Sequence, residues 1–166
     1  MKNITVLLLI FMVSALFFSC NDKDEKEPVV EYFISATVNG SAVYFNEQAA
    51  LWGQALHYEQ QHELNIYGSI EEIIGITIQV LDNQAIAPGV YAGLEDNGTH
   101  FEGVRIIFSQ ELNNYITDDQ NPVGTVEITE LSETEIRGNF SGELKILNKS
   151  QPLVISNGQF FVKREG

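Results

Sequence analysis

The sequence predicts an all-β domain, an antiparallel β-sandwich of about nine or ten short strands. Three observations predict it. Apolar residues recur with a period of two in one stretch after another, most cleanly in Ile73–Leu81 and Glu135–Leu147. Turn signals such as Asn39-Gly40, Asp82-Asn83, Pro88-Gly89 and Ser132-Glu133-Thr134 separate these stretches at short intervals. No stretch after residue 28 carries a helical period. Alternation of this kind buries one face of each strand. It serves a closed or partly open β-barrel as well as a sandwich, and the residues leave both open.

Taken in order, Tyr32–Val38 and Ser41–Phe45 are runs of β-formers around Asn39-Gly40. That dipeptide is the strongest short-range hairpin signal, since both central turn residues need a positive φ. Ile34, Ala36 and Val38 belong on the core face. Glu47–Trp52 is ambiguous between strand and helical turn, and Gly53 interrupts either. Gln54–Glu63 reads as a polar, solvated loop, followed by a strand over Leu64–Gly68. In Ile73–Leu81, residues Ile74, Ile76, Ile78 and Val80 share one face. Val90-Tyr91 starts a short strand, Glu95–Gly98 reads as a loop, and Val104–Phe108 is a strand. Tyr115-Ile116 fits a short edge strand between polar loops. Gly124–Leu131, Glu135–Leu147 and Leu153–Lys163 form a closing meander, with a bulge or bend at Asn157-Gly158.

The N-terminal segment carries an address. Lys2 precedes the apolar run Ile4–Phe18, which is shorter than the ~20 residues of a membrane-spanning helix and has the length of a signal-peptide core. Leu16-Phe17-Phe18-Ser19-Cys20 resembles a bacterial lipobox, with Phe17 where that motif usually has Leu. The resemblance implies cleavage after Ser19 and a diacylglycerol on Cys20, the only cysteine. Each buried methylene contributes about 0.8 kcal/mol, so two or three acyl chains anchor durably where one does not. Asn21–Pro28 is charged and nearly free of apolar residues, as a disordered tether is. Its Lys23-Asp24-Glu25 resembles the export tag of surface lipoproteins of Bacteroidota-type bacteria. The expected organisation is therefore a signal peptide over 1–19, a lipidated tether over 20–30 and one β domain over 31–166. The expected location is the outer membrane, with the domain facing the cell exterior or, alternatively, the periplasm.

Further along, Phe33-x-x-Ala36-x-Val38-Asn39-Gly40, Pro88-Gly89-x-Tyr91, Gly124-x-Val126-x-Ile128-Thr129-x-Leu131, Ile136-x-Gly138-x-Phe140-Ser141 and Ile155-Ser156-Asn157-Gly158-x-Phe160 together resemble a recurrent family of Bacteroidota lipoproteins of unknown function. The resemblance covers most of residues 32–163 and implies fold and location. It carries no functional residue other than Cys20.

The chain has 9 Lys and Arg against 23 Asp and Glu, a formal net charge of −14. Removing 1–19 takes away only Lys2 among the charged residues, for about −15. Such a field disfavours nucleic acids and anionic head groups. No nucleophile elbow, phosphate loop or metalloprotease helix occurs, and no cofactor is implied. His57, Glu59, His62 and Glu63 are the densest group of metal-ligand types. Their odd spacing puts the two histidines on opposite sides of a single strand, so the sequence predicts no metal site there. Asp118, Asp119 and Asn121 are weaker oxygen-ligand candidates for calcium. A hydrolase would need two converging carboxylates, but Glu127 and Glu143 fall at outward strand positions. Trp52, Tyr58 and Tyr67 are the candidate ligand-binding aromatics, each with a flat apolar face and a polar tip. The sequence thus points to a non-enzymatic, lipid-anchored binding or accessory module for a glycan or protein. The alternatives are a carboxylate hydrolase acting on an extracellular polymer and a lipocalin-like barrel holding a small apolar ligand.

Overall fold

A computed structural model describes residues 30–47, 50–71, 73–146 and 151–166. Cys20, Lys23, Asp24 and Glu25 lie outside the described residues. Within them the chain forms twelve β-strands and no α-helix. Strands β1 (Phe33–Val38) and β2 (Ser41–Phe45) flank Asn39-Gly40, whose φ angles of 47° and 84° are both positive, as the predicted hairpin turn requires. Strands β3 (Leu51–Tyr58), β4 (Gln61–Ile70) and β5 (Ile74–Asp82) follow as an antiparallel meander. Two short strands, β6 (Gly89–Ala92) and β7 (Leu94–Asp96), precede the hairpin of β8 (Phe101–Gln110) and β9 (Asn113–Thr117). Strands β10 (Val123–Leu131), β11 (Glu135–Lys145) and β12 (Leu153–Glu165) complete the fold.

Three local expectations change. Gln54–Glu63 is a tight hairpin joining β3 and β4, because Glu59 takes a φ of 49° without the help of Gly or Asn. Leu94–Asp96, which overlaps the loop expected over Glu95–Gly98, is a strand that pairs with β8. Tyr115-Ile116 belongs to an interior strand, since β9 is bonded to both β8 and β11.

The strands make one continuous mixed sheet folded into two layers. The first layer runs β2-β1-β12-β11-β10-β6 and the second β3-β4-β5-β8-β9, with β7 on β8. The layers are stitched at both sides. On one side the end of β12 pairs with β3, Arg164 opposite Gly53 and Glu165 opposite Gln54, in parallel, so the sheet is not wholly antiparallel as expected. On the other, β9 pairs with the end of β11, and the Thr117 hydroxyl accepts the Ile106 N–H at 2.8 Å. There too the chain crosses from β6 on β10 to β7 on β8 through Gly93, at φ 71°. Gly93 N–H donates to Gly124 and its carbonyl accepts from Val104. The result is a β-sandwich with barrel-like seams rather than a regular barrel.

The core is the set of inward period-two residues. Ile34, Phe45, Leu64, Ile66, Ile78, Val80, Ile106, Ile136 and Val162 are fully buried. Large residues of one layer sit over glycines of the other. A Cβ at Gly53 would lie 2.3 Å from Ile136, and one at Gly142 would lie 3.3 Å from Ile106. Within the first layer Phe160 covers its cross-strand partner Gly138, and Phe140 covers Gly158. The bulge expected at Asn157-Gly158 is present. Asn157 has φ 51°, and the register of β12 against both β1 and β11 shifts there. The side chains that pack this interior leave the two layers in contact, which is the arrangement of a filled core. Glu31–Gly166 forms one compact unit.

Candidate functional site

The β3–β4 register is what brings candidate residues together. Its two-residue turn sets Trp52 opposite Tyr67 on the outward face of the second layer. Their rings stack with centroids 5.3 Å apart and planes 27° apart. Both are half-buried, each shielding one face of the other. One rung further, Gln54, Asn65, Gln79 and Arg105 stand side by side across β3, β4, β5 and β8. Gln79 Nε2 donates to Asn65 Oδ1 at 2.8 Å, and Asn65 Nδ2 donates to Glu63 Oε2 at 3.4 Å. The Arg105 guanidinium lies over the Phe101 ring at 5.2 Å, and its Nε is buried with no hydrogen-bond partner.

Tyr58 has the same outward parity as Trp52 but sits at the hairpin tip, six residues or ~20 Å along β3. It is 56% exposed and does not join the Trp52–Tyr67 pair. It stands near the exposed end of β8 instead, because Gln61 ties the tip there. Gln61 Oε1 accepts from Phe101 N–H at 2.7 Å, and Gln61 Nε2 donates to Phe101 O at 3.0 Å. Sequence reasoning missed Gln61, Phe101 and Arg105. The strand period through Arg105, Ile107 and Ser109 carried the signal for Arg105, but the pairing of β4 with β5 and of β5 with β8 was needed to bring it to this rung.

The histidines are a correction. His57 and His62 are cross-strand partners on one side of the hairpin, not residues on opposite sides of one strand. The turn reverses the chain between them, so sequence parity does not apply. Their rings are parallel, with centroids 4.0 Å apart.

The calcium candidates are occupied otherwise. Asp118 pairs with Lys145 and caps the turn through Gln120 N–H at 3.2 Å. The Lys145 hydrogen bond, and then the Gln120 amide, hold the Asp118 carboxyl below its usual range. Asp119 and Asn121 lie exposed in the same turn. Among the described residues no three His, Cys, Asp or Glu side chains are grouped as metal ligands. Glu127 and Glu143 are exposed on the outer face of the first layer, where Glu127 accepts from Asn139 at 2.9 Å. No protein-family model matches the chain, nor does any curated protein or solved structure.

Proposed function

We propose that this chain is a lipid-anchored cell-envelope protein that binds an uncharged glycan on the outward face of its second layer. The observation that carries the reading is the stacked Trp52–Tyr67 pair beside the amide and guanidinium rung of Gln54, Asn65, Gln79 and Arg105. A sugar ring offers an apolar C–H face ringed by hydroxyls. An aromatic shelf takes the face, and neighbouring amides donate to and accept from the hydroxyls in fixed directions. The Arg105 Nε, a buried donor left unpaired at a cost of roughly 1–3 kcal/mol, is explained better by a binding role than by stability. The net charge of −14 favours a neutral ligand over an anionic one. The lipobox-like Leu16–Cys20 and the tag-like Lys23-Asp24-Glu25 support the anchor and an outward-facing location.

Affinity electrophoresis in gels cast with neutral polysaccharides tests the ligand. Retardation of the wild type by at least one polymer, abolished in Trp52→Ala and weakened in Gln79→Ala, is the expected result. Equal mobility of wild type and Trp52→Ala in every retarding polymer overturns the site. Protease shaving of intact host cells tests the location. The wild type is shaved, and a variant with Lys23, Asp24 and Glu25 changed to Ala stays lipidated and protected.

A further inference from the structure

A second group of aromatic rings stands on the outer face of the first layer, where β2, β1 and β12 lie side by side. Phe33 stacks on Tyr44 with centroids 5.8 Å apart and meets Phe161 edge-on at 6.5 Å. Tyr32 closes on Phe161 at 5.0 Å. Strands β1 and β2 carry no Asp, Glu, Lys or Arg, in a chain with 23 acidic residues. Strand β2 is also the outer strand of its layer, paired with β1 alone. Open edges are normally guarded by charges or Pro, and an uncharged one beside exposed rings is an aggregation site unless a surface covers it. We propose that this patch rests on the lipid surface that holds the chain, at the headgroup level of a neutral or zwitterionic bilayer. The proposal depends on the lipid-anchor reading of Cys20.

Three features commit the patch to lipid. The first is where the chain enters the domain. Phe33 follows Cys20 by thirteen residues, so even a fully extended tether spans no more than about 45 Å. Contact between patch and bilayer is therefore intramolecular once the anchor is in place, and a surface too weak to bind lipid alone then suffices. The second is the chemistry of the rings. Phe33 and Phe161 offer apolar faces, and Tyr32 and Tyr44 add hydroxyl tips, the combination that sits at membrane–water interfaces. The Arg137 guanidinium lies 3.8 Å from the Phe161 ring centre and is paired to Glu130 and Glu135 at 3.3 and 3.2 Å. The rim thus carries no net positive charge, which suits zwitterionic rather than anionic headgroups. The third is depth. The free side of β2 leaves backbone groups that need water, so the patch stays among the headgroups and out of the hydrocarbon. The outer faces of the two layers point in opposite directions. Seating the first on lipid turns the Trp52–Tyr67 shelf away from the membrane.

Quenching by brominated lipid tests the contact. The full-length lipoprotein is anchored in phosphatidylcholine vesicles with and without dibrominated phosphatidylcholine, and flotation confirms anchoring. Trp52 is the only tryptophan of the wild type and is separated from the bilayer by both layers, so its emission is nearly unchanged. In the double variant Tyr44→Trp, Trp52→Phe the brominated lipid lowers emission at least ~3-fold. A second readout uses the wild type alone. Tyr44 and Tyr58 are exposed to similar extents, 48% and 56%, but on opposite layers. Hydroxyl-radical footprinting on vesicles oxidises Tyr44 several-fold less than Tyr58. Flotation with no quenching at Tyr44→Trp and equal oxidation of the two tyrosines overturns this proposal and leaves the anchor standing. Failure to float overturns both. Protection of Tyr44 without quenching also overturns it, since a second copy of the chain or a glycan then covers the patch. Glycan retardation is read on the other layer and without vesicles, so that site can fail or hold independently.

Discussion

Between the buried positions of β10 and β11 stand Thr125, Glu127, Ser141 and Glu143, all exposed, whereas the equivalent outward residues of β4, β5 and β8, among them Asn65, Tyr67, Gln79 and Arg105, are half-buried. Both layers use the same alternation, and the difference is in what alternates. Short or charged side chains standing singly leave water between them. Aromatic, amide and guanidinium groups on adjacent strands lean on one another across the rungs. In the first layer the outer face of β10 and β11 is consequently a solvated surface, whereas β1, β2 and β12 carry an outward aromatic patch in which Phe33 stacks on Tyr44 and meets Phe161 edge-on. The outer face of the second layer is packed in advance, so a ligand would find side chains whose freedom is already lost.

Substitutions that treat the layers alike would break this contrast. The largest effect falls on the core of the first layer. Phe160→Ala uncovers Gly138 and empties a fully packed site, costing about 3–5 kcal/mol in urea unfolding. Its neighbour Phe161 points outward under Arg137, 3.8 Å from its ring, and Phe161→Ala costs only ~1 kcal/mol. Equal losses would mean that the outward aromatic patch is structural. Next, Gly138→Ala places a Cβ 2.1 Å from the Glu127 carbonyl and 2.4 Å from the Phe160 ring, for a loss of about 1–3 kcal/mol or more. In β5 of the second layer, Gly75→Ala meets nothing closer than 3.8 Å and stays within ~0.5 kcal/mol of wild type. Thermal melts of the two variants side by side settle the point.

A smaller effect on folding separates the outward faces by role. Gln61→Ala removes the tie between the β3–β4 tip and Phe101, costing about 1–2 kcal/mol and raising hydrogen exchange at Tyr58–His62 above that of the β10–β11 turn. The smallest effect is electrostatic. The Asp118 carboxyl is depressed in the folded state, so its pairing with Lys145 stabilises fully above the unfolded value near 3.9. That contribution is lost as pH falls through the lower folded value. Lys145→Met therefore narrows the gap in melting temperature between pH 6 and pH 3, and an unchanged gap would show the exposed pair to be inert.

The strands with one apolar face were legible from the residues. Ile74–Leu81, Gly124–Leu131 and Glu135–Lys145 fall where the period of two places them, and so does the Asn39-Gly40 turn. The hairpin over Gln54–Glu63 was not, because near its tip both faces meet solvent and the alternation that marks a strand is missing. Its turn, Glu59-Gln60, also lacks the residues that normally take a positive φ. The site suffered from the same gap. Trp52 and Tyr67 stood out singly as aromatics, but their pairing depends on the register that this unmarked turn imposes. The parallel seam of Arg164 and Glu165 with Gly53 and Gln54 joins residues far apart in sequence, and no local pattern encodes it. Period two reports burial, whereas partners are chosen by topology.

The position of β12 has a consequence for how the protein reaches this state. It is the last of the twelve strands in chain order, yet it lies between β1 and β11 and also seams to β3. A chain emerging from its N-terminus can close the β1–β2, β3–β4–β5 and β10–β11 ladders locally. The β1–β2 hairpin and the β10–β11 pair then wait, with open edges, for the strand that joins them. Contacts of such long sequence separation slow folding, and the rate at which β12 inserts sets how long those edges stay available to other chains.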